Sequence, residues 1–347
     1  MDGTVVNVGL VGFGYWGPNV ARNFSQLEGA RLSHICDLSE ERLARARRLY
    51  PHSVATGDLD SVLADPSVDL IVVATPVSTH HQLAARALHA DKHVLVEKPL
   101  TTSSELARDL VSIADRRKRY LFVDHTFIFT PAVRKMKEVY QRGELGRALY
   151  YDSTRVNLGI FQHDVNVIWD LVTHDLGILD YVLDGRMPAS ASCTGMAHFG
   201  ADHADLAYLT LHYDGDFIAH INVNWLAPVK VRQVLLCGDR RMLVYDDNSA
   251  SEKIKIYDSG VSIRRQEDIY ETLVQYRLGD MHAPRLDPSE ALTIEAKNIV
   301  DTIRGLDRPQ CDGAAGARIV SILEAASYSL KFNGEPVDFT TPALAAV

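Results

Sequence analysis

Four cysteines in 347 residues are too few and too scattered to staple a fold. Cys36, Cys193, Cys237 and Cys311 lack ligand-like spacing, and Cys36 sits inside an apolar run. This excludes a disulfide framework and a cysteine zinc site, and it suits reduced thiols in a cytoplasmic protein with no bound metal. No apolar run approaches the roughly 20 residues that cross a bilayer. Met1-Asp2-Gly3-Thr4 leads straight into an apolar stretch, so no signal peptide is expected. An excess of positive charge is also missing. The formal net charge is −9, from 36 Lys and Arg against 45 Asp and Glu, which argues against nucleic acid or an anionic membrane as partner. Internal repeats and low-complexity linkers are absent.

What remains is an ordinary globular composition, 46% hydrophobic and 23% charged, in a chain longer than one core usually sustains. Two domains are expected. The clearest local signal is Gly12-Phe13-Gly14-Tyr15-Trp16-Gly17, set between an apolar run, Val5 to Val11, and a helical pattern, Pro18 to Leu27. A glycine hexapeptide alone is weak, and one that joins a buried strand to a helix reads as a dinucleotide-binding turn. Gly12 would turn the chain, Gly14 would admit a pyrophosphate, and Gly17 would let the helix pack closely on the sheet. The pyrophosphate would rest on the unsatisfied N–H groups of the helix N-terminus. Asp37 ends the next apolar run, Leu32 to Cys36, about 20 residues on, where an acid binds the adenosine ribose. Its charge would repel a 2′-phosphate, and Leu38-Ser39-Glu40 brings no arginine. Arg42 is expected on the outer face of the following helix. The cofactor expected is therefore NAD, with NADP less favoured.

The first third alternates strand and helix: a helix over Ser39 to Tyr50, a strand near Val54, a helix over Asp58 to Ala64 and a strand over Asp69 to Ala74. A helix from His80 to Ala90, a strand from His93 to Val96, a helix from Ser104 to Arg117 and a strand from Tyr120 to Val123 follow. This predicts an α/β fold with a doubly wound parallel Rossmann sheet over residues 1–124, with ligand residues at the C-terminal ends of its strands. Asp37, Thr75, Glu97 and Lys98 all stand there. Residues 125–347 change rhythm. After a helix from Pro131 to Arg142, period-2 runs and tight turns such as Tyr213-Asp214-Gly215-Asp216 predict a second α/β domain with a large open antiparallel sheet. Two late helices, near Ser289 to Arg304 and Ala314 to Phe332, close the chain.

Lys98 ends a strand where an alkoxide would develop beside a nicotinamide, and Pro99 holds its backbone extended. The bland alternative is a surface lysine. Asp170 and His174 are four apart on a predicted helix, Trp169 to Leu183, and so share a face with Gly177 and Tyr181. His174 has the chemistry of a general base near neutral pH, and Asp170 could orient it. An exposed ion pair is the alternative there. Asp175 points about 100° away.

These residues resemble the glucose–fructose oxidoreductase and inositol dehydrogenase (Gfo/Idh/MocA) family, almost end to end. The resemblance is carried by the glycine loop, Ala74-Thr75-Pro76 with His80-His81, Glu97-Lys98-Pro99, Pro131-Ala132-Val133-Arg134 with Gly143-Glu144-Leu145-Gly146, and Trp169-Asp170-Leu171-Val172-Thr173-His174-Asp175. It implies a Rossmann domain followed by an open-sheet domain, and hydride transfer at one carbon of a sugar or cyclitol. It further implies that Lys98 contacts the reacting oxygen, that Asp170 and His174 form the catalytic pair, and that Glu97 positions the cofactor. Thr75, Pro76 and His80 would join Gly12 to Gly17, with Phe13, Tyr15 and Trp16, around the dinucleotide. The Tyr15-to-Asn19 loop and the Phe161-to-His174 stretch are most similar to members acting on nucleotide-linked or amino sugars.

Candidate substrate contacts are Arg155 and Asn157, which alternate onto one side of a strand, together with Asn166 and Trp169. Phe161, His163, Asp164 and Trp225 are further candidates, and ordinary packing is as good a reading for each. The expected activity is an NAD-dependent sugar dehydrogenase or ketoreductase. A glycoside-cleaving enzyme that keeps its NAD, a cyclitol dehydrogenase and a non-catalytic cofactor-bound regulator are the alternatives. Apolar residues on both sides of strands, as in Ala207-Tyr208-Leu209, predict a homodimer or homotetramer built through the second-domain sheet.

Overall fold

The computed structural model describes residues 5–159, 165–199, 203–265 and 272–339. The first elements alternate: β1 (Val6–Val11), α1 (Gly17–Gln26), β2 (Ala30–Cys36), α2 (Glu40–Leu49), β3 (Val54–Thr56), α3 (Leu59–Ala64), β4 (Leu70–Val73), α4 (His80–His89), β5 (His93–Glu97), α5 (Ser104–Arg117) and β6 (Leu121–Asp124). Three of these helices, α2, α3 and α5, start where the sequence offers a cap. The side chains of Ser39, Asp58 and Ser103 each accept a backbone N–H from the first turn that follows. The six strands pair in parallel in the order β3-β2-β1-β4-β5-β6. Strand order therefore reverses between β1 and β4, and the crevice beyond their carboxyl ends is the natural ligand position in such a sheet.

The chain continues through α6 (Pro131–Gln141), β7 (Ala148–Leu158), a π-helical turn (Ile168–Val172), α7 (Thr173–Val182), β8 (Ser190–Met196), β9 (Leu206–His212), β10 (Ile218–Asn224), β11 (Leu226–Gly238), β12 (Met242–Asp246), β13 (Ile254–Tyr257), β14 (Gly260–Arg265), β15 (Thr272–Arg277) and β16 (Met281–His282). It ends with α8 (Ala291–Ile303), α9 (Gly313–Lys331) and β17 (Val337–Asp338). A nine-stranded sheet has the order β16-β13-β12-β11-β7-β10-β9-β8-β17, and β14 pairs with β15 apart from it. The sheet is mixed rather than wholly antiparallel, because β10 lies parallel to β7. One face of β9 and β10 is apolar and buried, with Ala207, Leu209, Leu211, Ala219, Ile221 and Val223. The other face is mixed, with Tyr208 and Ile218 exposed among polar neighbours. Exposed Tyr208 stacks on His220, and Thr210 hydrogen-bonds the same ring.

Contacts divide the chain into two units, Met1–Phe129 with Ser289–Ser321, and Thr130–Pro288 with Ile322–Val347. A cut at residue 124 into two continuous pieces misses the segment that returns to the first unit. The reason is a shared core. Ala296, Ile299 and Val300 of α8 pack in one buried cluster with Val8 and Leu10 of β1, Phe24 of α1 and Phe122 of β6. Among the described residues no helix is long and apolar enough to cross a membrane. All four cysteines are free thiols.

Candidate active site

A cleft of about 680 Å³ opens at the carboxyl ends of the parallel strands. Its walls include Gly12, Gly14, Tyr15 and Trp16 after β1, Asp37 after β2, Thr75 and Pro76 after β4, His80 of α4, and Glu97 with Lys98 at the end of β5. Phe13 and Gly17 are not on the wall. Phe13 is buried with its ring edge-on to Tyr50, and acts through its backbone N–H. Two glycines make the turn possible by close approach. At Gly12, with φ +98°, a Cβ would lie 2.3 Å from the Ala74 carbonyl oxygen. At Gly17 it would lie 2.3 Å from the carbonyl of Gly12, so the loop folds back on itself there rather than chiefly packing helix on sheet. A Cβ at Gly14 would make only ordinary contacts, the nearest with Arg42 at 3.6 Å. Helix α1 begins at this loop with no side-chain cap and no acid in its first turn, and Pro18 fills an early position where its missing N–H costs nothing. Unsatisfied backbone donors and the positive end of the helix dipole thus suit a pyrophosphate.

Asp37 is buried. Its Oδ2 accepts from the Phe13 N–H at 2.6 Å and its Oδ1 from the Ser39 N–H at 2.8 Å. Arg42 differs from its expected outward position. It lines the cleft, with Nη1 3.4 Å from Asp37 Oδ2. Ser39 caps α2 by accepting the Arg42 N–H, and this places Arg42 in the first turn at the cleft edge. Position relative to a cap was the available signal for this residue. Arg86, Gln82 and Leu83 of α4 also line the cleft and carry no motif that would have marked them.

Beyond β4, the hydroxyls of Thr75 and Thr79 lie 2.7 Å apart. The buried His80 ring spans two loops, with Nδ1 2.9 Å from the Pro99 carbonyl and Nε2 2.9 Å from that of Thr75. Burial lowers its pKa, against the opposing pull of those carbonyls. The Lys98–Pro99 peptide is cis. Glu97 Oε2 accepts the N–H of Lys98 at 2.9 Å. Burial, with the charge of neighbouring Asp124, holds the Glu97 carboxyl pKa well above the usual range. Asp124 also takes a 2.9 Å hydrogen bond from Trp16 Nε1, which ties the glycine loop to β6.

In the second unit the segment Trp169 to Leu183 is not one regular helix. Asp170 lies in the π-helical turn and His174 in the first turn of α7, so the 100° spacing that put them on one face does not apply between them. Such turns recur at functional sites. Asp170 Oδ2 accepts from the indole of buried Trp225 at 3.0 Å. Asp175 and Arg155 form a buried ion pair, Nε to Oδ2 at 2.7 Å and Nη2 to Oδ1 at 3.2 Å, and the Ser153 hydroxyl donates to Asp175 at 2.7 Å. Arg155 is thereby engaged in fixing β7 to α7, a partner that strand alternation could not reveal. Asn157 follows on the same side of β7, half-buried. Asn166 Oδ1 accepts the N–H groups of Ile168 and Trp169, so this side chain caps the π-helical turn. Trp169 Nε1 donates to Ser327 Oγ at 2.8 Å. Phe161, His163 and Asp164 lie outside the described residues.

Two family models match: an oxidoreductase family with an NAD-binding Rossmann fold over residues 6–125, and the Gfo/Idh/MocA C-terminal domain over residues 133–244. The chain belongs to the Gfo/Idh/MocA family of oxidoreductases. It is 26% identical over 324 residues to a UDP-N-acetylglucosamine 3-dehydrogenase of Acidithiobacillus ferrooxidans, covering 91% of this chain and 94% of that one. It is 29% identical over 226 residues to inositol 2-dehydrogenase 2 of Saccharopolyspora erythraea, covering 63% of this chain and 66% of that one. A solved structure of the UDP-N-acetylglucosamine 3-dehydrogenase from Acidithiobacillus ferrooxidans is similar with a TM-score of 0.80 at 24% identity, over 94% of this chain and 98% of the other. At that identity the structural likeness speaks to the fold.

Proposed function

We propose that the protein is an NAD(H)-dependent dehydrogenase, or in reverse a ketoreductase, acting at a secondary alcohol of a nucleotide-linked or amino sugar. The observation that carries the reading is the cleft, which runs from Asp37 past the glycine loop to Glu97 and Lys98. With the pyrophosphate on the α1 N-terminus and the adenosine ribose at Asp37, the nicotinamide is left for the Lys98 end. NAD supplies the hydride acceptor when bound. His174 takes the hydroxyl proton and Asp170, steadied by Trp225, orients it or holds a neighbouring hydroxyl. Lys98 stabilises the developing oxyanion, and Asn157 and Trp169 contact the sugar. Arg155 serves the site through Asp175. NAD is preferred to NADP because Asp37 opposes a 2′-phosphate, although Arg42 softens that preference. The relative acting on UDP-N-acetylglucosamine supports the sugar class. The open face of β9 and β10 is the surface through which a homodimer or homotetramer forms.

Purified protein offered NAD and a panel of UDP-linked amino sugars, free sugars and inositol tests the reading through NADH absorbance. NADH formed with a nucleotide sugar supports it. Turnover of inositol alone would favour the cyclitol reading. A glycosidic bond cut without net NADH would favour the NAD-retaining hydrolase, and no turnover of any of them would overturn the substrate class proposed.

A further inference from the structure

Three carboxyl groups of the first unit converge at the Glu97 end of the cleft. Glu97 and Asp124 are paired neighbours at the ends of β5 and β6, and Glu295 reaches them from α8. Asp124 is 3% exposed and Glu295 1%, so neither is a solvated surface acid. Asp124 already accepts from Trp16 Nε1 and from the Thr126 hydroxyl. The carboxyls of Glu97 and Glu295 both lie within hydrogen-bonding reach of it. Two carboxylates have no proton to share, so each of these contacts needs an acid on one side. As a carboxylate, Glu295 would leave Oε2 buried without a partner; as an acid it can donate to Asp124.

The other groups facing the cluster do not relieve it. His125 is buried with both ring nitrogens unpartnered, and burial pushes its pKa down to about 4, which leaves it neutral. The Cys311 thiol, 3.8 Å from Glu295 Oε1, is pushed well up by burial and stays protonated. Lys98 is the neighbouring cation, and its pull on Glu97 is smaller than the opposing effects of burial and Asp124.

We propose that Asp124 is the positioning residue that keeps Glu97 a neutral acid, with Glu295 the second acid on the same carboxylate, so that the nicotinamide end of the cleft does not favour NAD⁺ over NADH. The inference rests on the dinucleotide reading of the cleft. The oxidised nicotinamide ring is positive and the reduced ring neutral. A carboxylate at Glu97 would attract the first alone, whereas a neutral acid treats both alike. Trp16 shares the arrangement, since its indole adds a donor to the Asp124 carboxylate and links the cluster to the glycine loop.

Infrared spectroscopy of the protein without cofactor should show a carboxylic-acid carbonyl band near pH 7 that shifts in D₂O. The band should weaken in Glu295→Gln and again in Asp124→Asn. Fluorescence titration should then give a ratio of NAD⁺ to NADH affinity that is flat from about pH 6 to 8 in the native protein. In Asp124→Asn, NAD⁺ should gain several-fold on NADH as pH rises across the same range. A missing acid band, or a band unchanged in both variants, overturns the proposal. So does an affinity ratio in Asp124→Asn identical to that of the native protein at every pH. Should Asp124→Asn not fold, the native and Glu295→Gln spectra still decide the matter. Failure to bind either nucleotide would instead strike the cofactor reading.

Discussion

Asp37 Oδ2 accepts a 2.6 Å hydrogen bond from the backbone N–H of Phe13, which fastens the end of β2 to the glycine loop. With a second backbone N–H on Oδ1, the carboxylate is oriented before any ligand arrives. Arg42, 3.4 Å away, contributes the opposing charge. NAD(H) is expected to bind about tenfold more tightly than NADP(H), a difference of about 1.4 kcal/mol. Arg42→Ala should widen that gap and Asp37→Ser should close it. Calorimetry with the two cofactors checks both, and a native preference for NADP(H) would reverse the assignment.

Charge placement at the chemical step gives a second expectation. Lys98→Ala should lower kcat by about a hundredfold to a thousandfold, or roughly 3–4 kcal/mol, with NAD affinity held within a few-fold. His174→Ala should be equally damaging near neutral pH and partly recover at high pH, where water or hydroxide can take the proton. Steady-state rates on a verified substrate across a pH series decide it. Normal rates in both variants would send the search to Asp170 and Asp175.

The buried Arg155–Asp175 pair predicts an asymmetry in stability. Arg155→Met leaves a buried carboxylate without its cation and should cost roughly 3–5 kcal/mol. The double change Arg155→Met with Asp175→Leu should recover much of that loss, because both desolvation penalties vanish together. Denaturant unfolding measures the difference. A single variant as stable as the native protein would show that the pair does not hold β7 to α7.

Acid stability follows from His125. Its folded-state pKa of about 4 lies below the ordinary 6.5. The stability it contributes is present above about pH 6.5 and is lost as pH falls toward 4, on the order of 3 kcal/mol in all. His125→Phe should flatten that limb in thermal melts. Glu295 has the opposite sign, because burial raises its carboxyl pKa in the folded state. Its contribution is full below the ordinary carboxyl range and is lost as pH rises from there through the raised folded-state value. Glu295→Gln should therefore gain on the native protein with rising pH.

Assembly is checked by light scattering. A dimer or tetramer is expected at micromolar concentration, and Tyr208→Glu with Ile218→Glu on the exposed face should shift it toward monomer. A native monomer would remove the idea.

The sequence alone determined the parallel sheet, the glycine turn and most helix starts, because each depends on neighbours within a few residues. Gly12 and Gly17 are recognisable from strand and helix on either side, and Ser39 and Ser103 from the helices they cap. Lys98 and Asp37 were legible because parallel strands deliver their last residues to one edge. Tertiary structure decided what depends on partners distant in the chain. The parallel pairing of β7 with β10 joins strands whose sequences carry no mark of each other. The return of α8 to the first core, the π-helical turn around Asp170 and the capture of Arg155 by Asp175 are of the same kind. Glu97, Asp124 and Glu295 read as three unrelated acids in the sequence. Strand register and one returning helix bring buried Asp124 and Glu295 against half-buried Glu97, where only shared protons make their company tolerable.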